Sequence, residues 1–135
     1  MNGMKPSDVI HRFVDEFKNG GGNMAPLDKL LDERLVHHLP APGLPPGPAG
    51  FKAIASSVFA AFPDVHVTVE LVFEQGDLVA EHSVVRATHA GSFQGLTPTG
   101  RKVTWTENNI YRVRDGRIAE MWACADFAGL MRQLQ

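Results

Sequence analysis

Four side chains set two residues apart, Trp105, Glu107, Asn109 and Tyr111, are the first place in this sequence where chemistry can be read. Residues at that spacing share one face of a β-strand, with Thr104, Thr106, Asn108 and Ile110 on the other. A carboxylate and an amide interleaved with two aromatic rings suit a mostly apolar pocket in which a few polar groups orient and react. Glu107 is the candidate acid or base. In an apolar hollow its carboxyl would be pushed up towards neutrality, where proton transfer is most effective. The competing reading is a row that faces solvent or a second subunit.

Other reactive types are scattered. His82 and Arg86 share a face with Ala80, Val84 and Thr88 on another strand. His37 and His38 are adjacent and so diverge in an extended segment, and with His66, His82 and His89 they form no spacing that a zinc or iron site would use. Cys124 is the single cysteine, so the chain can form no internal disulfide, and it reads as a small buried strand residue.

The elements that must position these residues follow from periodicity. Val9, Ile10, Phe13, Val14 and Phe17 recur at helical spacing, with Ser7 or Asp8 as cap and Gly20-Gly21-Gly22 as the stop. Leu27, Leu30, Leu31 and Leu35 predict a short second helix starting near Pro26. Five prolines and three glycines between Pro40 and Gly50 predict an irregular surface loop, either a spacer or a stiff rim over a pocket mouth. A third helix, Phe51 to Phe62, has a broad apolar face that includes Phe59 and is expected to be the most buried against the sheet.

The period then changes to two. Strands are expected from Val65 to Phe73, Leu78 to His89, Lys102 to Val113 and Arg117 to Ala125, with a closing helix capped by Asp126. Helices followed by an antiparallel meander indicate a single α+β domain over 1–135. A curled sheet under the third helix leaves a hollow that could hold a small hydrophobic molecule.

Composition narrows the partners. The formal net charge is −2 and no window clusters Lys and Arg, which argues against a nucleic-acid partner. Charged residues interrupt the first apolar pattern and no apolar run is long enough to span a bilayer, so a cytoplasmic protein without a membrane partner is expected.

Several short motifs occur in order: Phe62-Pro63-Asp64, Gly76-Asp77-Leu78-Val79-Ala80, Thr88-His89-Ala90-Gly91 and Pro98-Thr99-Gly100-Arg101. Tyr111-Arg112-Val113-Arg114-Asp115-Gly116-Arg117-Ile118 and Glu120-Met121-Trp122 follow, with Asp126 four positions beyond the tryptophan. As a set, over roughly residues 5–135, they resemble the SnoaL-like polyketide cyclase (ester cyclase) family of the superfamily named after nuclear transport factor two.

The resemblance implies a cone-shaped α+β fold, no cofactor and no metal, and a homodimer or higher homo-oligomer through the outer sheet face. It implies ring closure of a polyketide by an aldol-type condensation. Its characterised members exchange protons through an aspartate directly after the tryptophan and a pocket histidine on the preceding strand; Ala123 and Asn109 stand at those positions. Alanine cannot move a proton, so the mechanism cannot carry over unchanged. The position of His82 resembles a pocket-facing arginine of many relatives, which makes His82 a second candidate titrating group and Arg86 a pocket residue. Asp64, Thr99, Asp115 and Asp126 lie at turns and helix ends and are expected to be structural.

A three-residue loop at Arg114-Asp115-Gly116 would pair Val113 with Arg117, setting Asn109 against Met121 and Glu107 against Ala123. A plain two-residue turn would pair Asn108 with Ala123 and turn Glu107 away. The three-residue loop is expected, because it brings both family positions to one face. The leading functional expectation is a cofactor-independent cyclase-type enzyme with Glu107 and His82 as catalytic groups. A silent binder, or an isomerase or epoxide-opening hydrolase, are the other readings.

Overall fold

In the computed structural model, which describes residues 4–135, the N-terminal apolar stripe winds first as helix α1 (Pro6–Arg12). It continues as a π-helix, Phe13–Lys18, closed by a 2.8 Å bond from the Asn19 N–H to the Val14 carbonyl. The Asn19 side chain then pairs with both backbone groups of Val67, which anchors the end of this helix on the sheet. The first three residues of the expected 1–135 domain lie outside the described residues.

The predicted second helix is only half a helix. Helix α2 (Leu27–Leu30) stops after one turn, Leu31 swings to an extended conformation, and strand β1 (Leu31–His38) follows. A four-residue helix gains little from propagation, whereas the open edge of the last strand offers unpaired backbone groups to an arriving segment. Strand β1 takes that edge, and it does so in parallel. The remaining strands, β2 (His66–Gln75), β3 (Leu78–Thr88), β4 (Lys102–Arg114) and β5 (Arg117–Ala125), run antiparallel in the order β1-β5-β4-β3-β2. The α+β cone expected from the sequence is present, with a mixed five-stranded sheet in place of a four-stranded meander.

Two bulges decide which side chains look into the cone. Glu70 is an extra residue in β2, between the Val69–Ser83 and Leu71–His82 pairs. It reverses the alternation, so Val67 and Val69 point inward, Val72 joins the core beyond it, and Leu71 and Phe73 end up exposed. Ala119 is the second extra residue, between Ile118, which pairs with Val113, and Glu120, which pairs with Arg112. The hairpin itself is a two-residue turn: Asp115 and Gly116 have φ of 52° and 75°, the paired positive values of a type I′ connection. The expected three-residue loop is therefore corrected. Asn109 pairs with Ala123, Tyr111 with Met121 and Glu107 with Ala125, and the bulge restores the parity that the short turn alone would have lost.

Two apolar cores fill the ends of the cone. One joins Phe13, Phe17 and Leu30 to Tyr111, Ile118 and Met121; the other joins Phe62, Phe93 and Leu134 to Val85 and Trp105. Helix α3 (Pro48–Ala61) roofs the space between them. Its inward residues Phe51, Ile54, Val58 and Phe59 are only partly buried, because they cover a hollow and do not press on the sheet as expected. The loop from Gly91 to Gly100 docks against the end of α3 through bonds from Ala90 and Gly91 to the Ala61 carbonyl. A Cβ on Gly91 would collide with the Ala60 carbonyl. Asp64, just past the same end of α3, accepts from both the backbone and the hydroxyl of Thr88 and ties it to β3. The closing helix α4 (Phe127–Leu134) is capped by Asp126, which accepts from Gly129. Among the described residues no helix is long and apolar enough to cross a membrane.

Candidate active site

The hollow is a cavity of about 320 Å³, within the range of small-molecule sites. Helix α3 supplies Phe51, Val58 and Phe59, and strands β4 and β5 supply the floor. Leu39, Pro40 and Ala41 from the proline-rich loop line it too, as do Gln94 and Phe127, so that loop is part of the rim as well as a spacer.

Trp105, Glu107, Asn109 and Tyr111 all line this cavity together with Met121, Ala123 and Phe59. Glu107 accepts hydrogen bonds from the Trp105 indole (3.1 Å) and the Asn109 amide (3.3 Å). Its side chain is 23% exposed, so one face of the carboxylate opens into the hollow. Asn109 and Ala123 are direct cross-strand partners, which puts the two positions implied by the resemblance side by side.

His82 and Arg86 do not belong to this site. The β3–β4 register sets Glu81 against Asn109 and Ser83 against Glu107. Cross-strand partners share a face, so the odd-numbered residues of β3 look inward and His82 and Arg86 look out. His82 instead meets Asn108 (2.7 Å) and Glu70 (3.5 Å) on the outer surface. Cys124, expected to be buried, is exposed on the same outer face. His89 is buried as part of a loop anchor, bonded to Thr99. Among the described residues, no three His, Cys, Asp or Glu side chains converge as a metal site would require.

The sequence reading missed the groups that sit beneath Glu107. Glu81 is fully buried and accepts from the Tyr111 hydroxyl at 2.7 Å and from the Ser83 hydroxyl. The Lys18 ammonium stands 3.3 Å from Tyr111 Oη, 3.6 Å from Glu107 and 3.8 Å from Glu81. Burial alone would depress the Lys18 ammonium, but Tyr111, Glu81 and Glu107 hold it above the ordinary lysine value. Burial would likewise raise Glu81, yet Lys18, Ser83, Tyr111 and Asn109 hold it below the ordinary glutamate value. Tyr111 is held above its ordinary value, by burial first and then by Glu81, against the pull of Lys18. At neutral pH the floor thus carries a fixed cation, a fixed buried anion and a neutral phenol.

Lys18 was hidden by helix geometry. On an ideal α-helix it falls on the flank of the stripe formed by Val9 to Phe17. The wider π-helical turn advances each residue by less about the axis, which brings Lys18 round to the inward side. Glu81 was hidden by the long connection between β3 and β4, which offers no short turn from which to count register. A signal was present: Glu81 lies on the same face as Val79, Ser83, Val85 and Ala87, an otherwise small and apolar row.

The family model for SnoaL-like polyketide cyclase matches residues 8–134. Nogalonic acid methyl ester cyclase of Streptomyces nogalater is 30% identical over 93 residues, 68% of this chain and 69% of that protein. Among solved structures, IdmH of Streptomyces antibioticus, a polyketide cyclase candidate, superposes with a TM-score of 0.85 at 37% identity, covering 97% of this chain and 99% of its own. AclR of Streptomyces galilaeus, a hydroxylase candidate, superposes with a TM-score of 0.84 at 25% identity, covering 96% and 83%.

Proposed function

Because this chain belongs to the SnoaL-like polyketide cyclase family, we propose that it closes a ring in a hydrophobic, carbonyl-bearing small molecule, with Glu107 moving the proton. One observation carries this reading: the Glu107 carboxylate opens into an apolar cavity directly beside Asn109 and Ala123, the positions at which characterised relatives keep their proton-transfer groups.

Glu107 takes a proton from a carbon next to a carbonyl, and the C–H electron pair moves onto the carbonyl oxygen. The enolate carbon attacks a second carbonyl of the same molecule, and the proton held by Glu107 passes to the new alkoxide. Every atom of the product comes from the substrate, so the step balances as an isomerisation. Trp105 and Asn109 fix the carboxylate from two sides, which keeps the base oriented. The aromatic walls keep water from quenching the enolate.

Nogalonic acid methyl ester, the molecule in the name of the Streptomyces nogalater relative, is the first substrate to try. Ring closure is followed by absorbance and chromatography, and exchange at the reacting carbon by NMR in heavy water. Glu107→Gln is expected to lose roughly 10²–10⁴-fold in rate, the usual worth of a positioned general base, with its circular dichroism unchanged. Unchanged turnover in that variant would remove Glu107 from the chemistry. Ala123 favours a second reading, a carrier of the same ligand class, and binding without turnover by the wild type would support it.

Self-association belongs to the same proposal. Leu71, Phe73 and Ile110 are 52%, 67% and 45% exposed on the outer face of the sheet, a cluster that supports pairing between copies. The single, exposed, unpaired Cys124 fits a reducing compartment such as the cytoplasm.

A further inference from the structure

We propose that Lys18 is a second catalytic residue of this cavity: its ammonium receives the oxygen of the enolate, and it selects ligands that carry an ionisable oxygen on a flat apolar framework. The inference rests on the reading of Glu107 as the base of the same site.

The first argument is saturation. An ammonium has three N–H donors. Among the described residues, Lys18 has one partner at hydrogen-bond distance, Tyr111 Oη at 3.3 Å; the two carboxylates are farther, at 3.6 and 3.8 Å. A nearly buried cation at a cavity wall, held by one hydrogen bond and two longer ion pairs, can turn towards an anionic oxygen when one of those pairs weakens. Among the described residues lining the cavity it is also the one cation.

The second argument is that packing does not explain the charge. Lys18 stands among Phe13, Phe17 and Tyr111, with its ammonium 5.4 Å from the Phe13 ring centroid. An apolar side chain of similar length would complete that wall without the desolvation that a buried charge incurs. Glu81 keeps the cation in place, but its side chain is fully buried and cannot itself reach a ligand.

The third argument is the movement of charge during the reaction. The groups that face Lys18 are Glu81 on β3, Glu107 and Tyr111 on β4, and Phe13 on its own helix. When Glu107 takes the substrate proton it becomes neutral, and Lys18 loses one of its two anionic neighbours. In the same step a negative charge appears on the substrate oxygen in the adjoining hollow. Lys18 exchanges one anion for another with little reorganisation, which is the preorganised stabilisation that lowers a barrier.

The test uses Glu107→Gln as the stand-in for the protein after proton uptake, with 2-naphthol as an ionisable probe and 2-methoxynaphthalene as its non-ionisable control. In Glu107→Gln, bound 2-naphthol is expected to ionise about one pH unit below the free compound, read from the naphtholate absorption band, which equals a tenfold preference for the anion. Adding Lys18→Met should erase that shift while leaving 2-methoxynaphthalene affinity within about twofold. An identical shift in the two proteins overturns the proposal. So does the absence of a shift, or of probe binding, in Glu107→Gln alone, a result that needs no Lys18 variant to fold. Failure here with an inactive Glu107→Gln removes Lys18 only; an active Glu107→Gln removes the general-base reading itself.

Discussion

Replacing Glu81 by Gln should cost this protein more stability than any change at the exposed end of the site. Glu81 lies 3.8 Å from Lys18 and accepts from Tyr111 and Ser83 without any exposure of its side chain. Two unit charges at that separation attract by about 4 kcal/mol at an effective dielectric constant near 20. Removing one partner of a buried pair typically costs about 3–5 kcal/mol, because the other charge stays behind with less compensation. Lys18 retains Glu107 at 3.6 Å, so the lower part of that range, about 3 kcal/mol, is expected. For a domain of this size, with a urea slope of about 1.5 kcal/mol/M, the midpoint should fall by about 2 M. The assay is equilibrium urea unfolding of wild type, Glu81→Gln, Lys18→Met and the double variant, followed by circular dichroism. The double variant should be more stable than the sum of the single losses allows, by a coupling of about 2 kcal/mol. Additivity within about 0.5 kcal/mol, or a Glu81→Gln loss below about 1 kcal/mol, would refute the claim that these two groups form a working buried pair.

The same groups give the stability profile a sign at each end of the pH range. Glu81 is held below its ordinary value of 4.5, so the unfolded chain binds its proton first as pH falls, and stability should drop below about pH 4.5 in wild type and less steeply in Glu81→Gln. Lys18 and Tyr111 are held above their ordinary values of 10.5 and 10.0, so the unfolded chain loses those protons first, and stability should fall as pH rises past about 10, less so in Lys18→Met. Thermal melts across that range check both signs. On the outer face, Phe73→Asp should shift the sedimentation coefficient to that of a monomer without changing the melting temperature by more than a few degrees; a wild type that is already monomeric at about 100 μM would sink the proposed pairing.

The fold was legible where local chemistry repeats over many residues. The alternation through Trp105, Glu107, Asn109 and Tyr111 put these four on one strand face, and Asp126 marked the start of α4. What could not be read were the places where one residue alters a count. The face of His82 depends on a β3–β4 register that no short turn fixes. The pairing of Asn109 with Ala123 depends on the bulge at Ala119, which offsets the two-residue turn. Lys18 depends on a change of helical pitch that its flanking residues do not announce. Leu31 and Leu35 fit a helical count, but the open edge of β5 decided their state.

The bulge at Ala119 behaves like a phase setting for everything after it. Were Ala119 drawn into regular pairing with Arg112, the rest of β5 would slip by one residue along β4, sending Met121 and Ala123 to the outside and bringing Trp122 and Cys124 to the cavity floor. The indole would then lie opposite Asn109 and the thiol opposite Glu107, and the ceiling formed by Phe59 would be untouched. A descendant of this scaffold could thus acquire a new reactive group by smoothing out one bulge, with no substitution at any lining position.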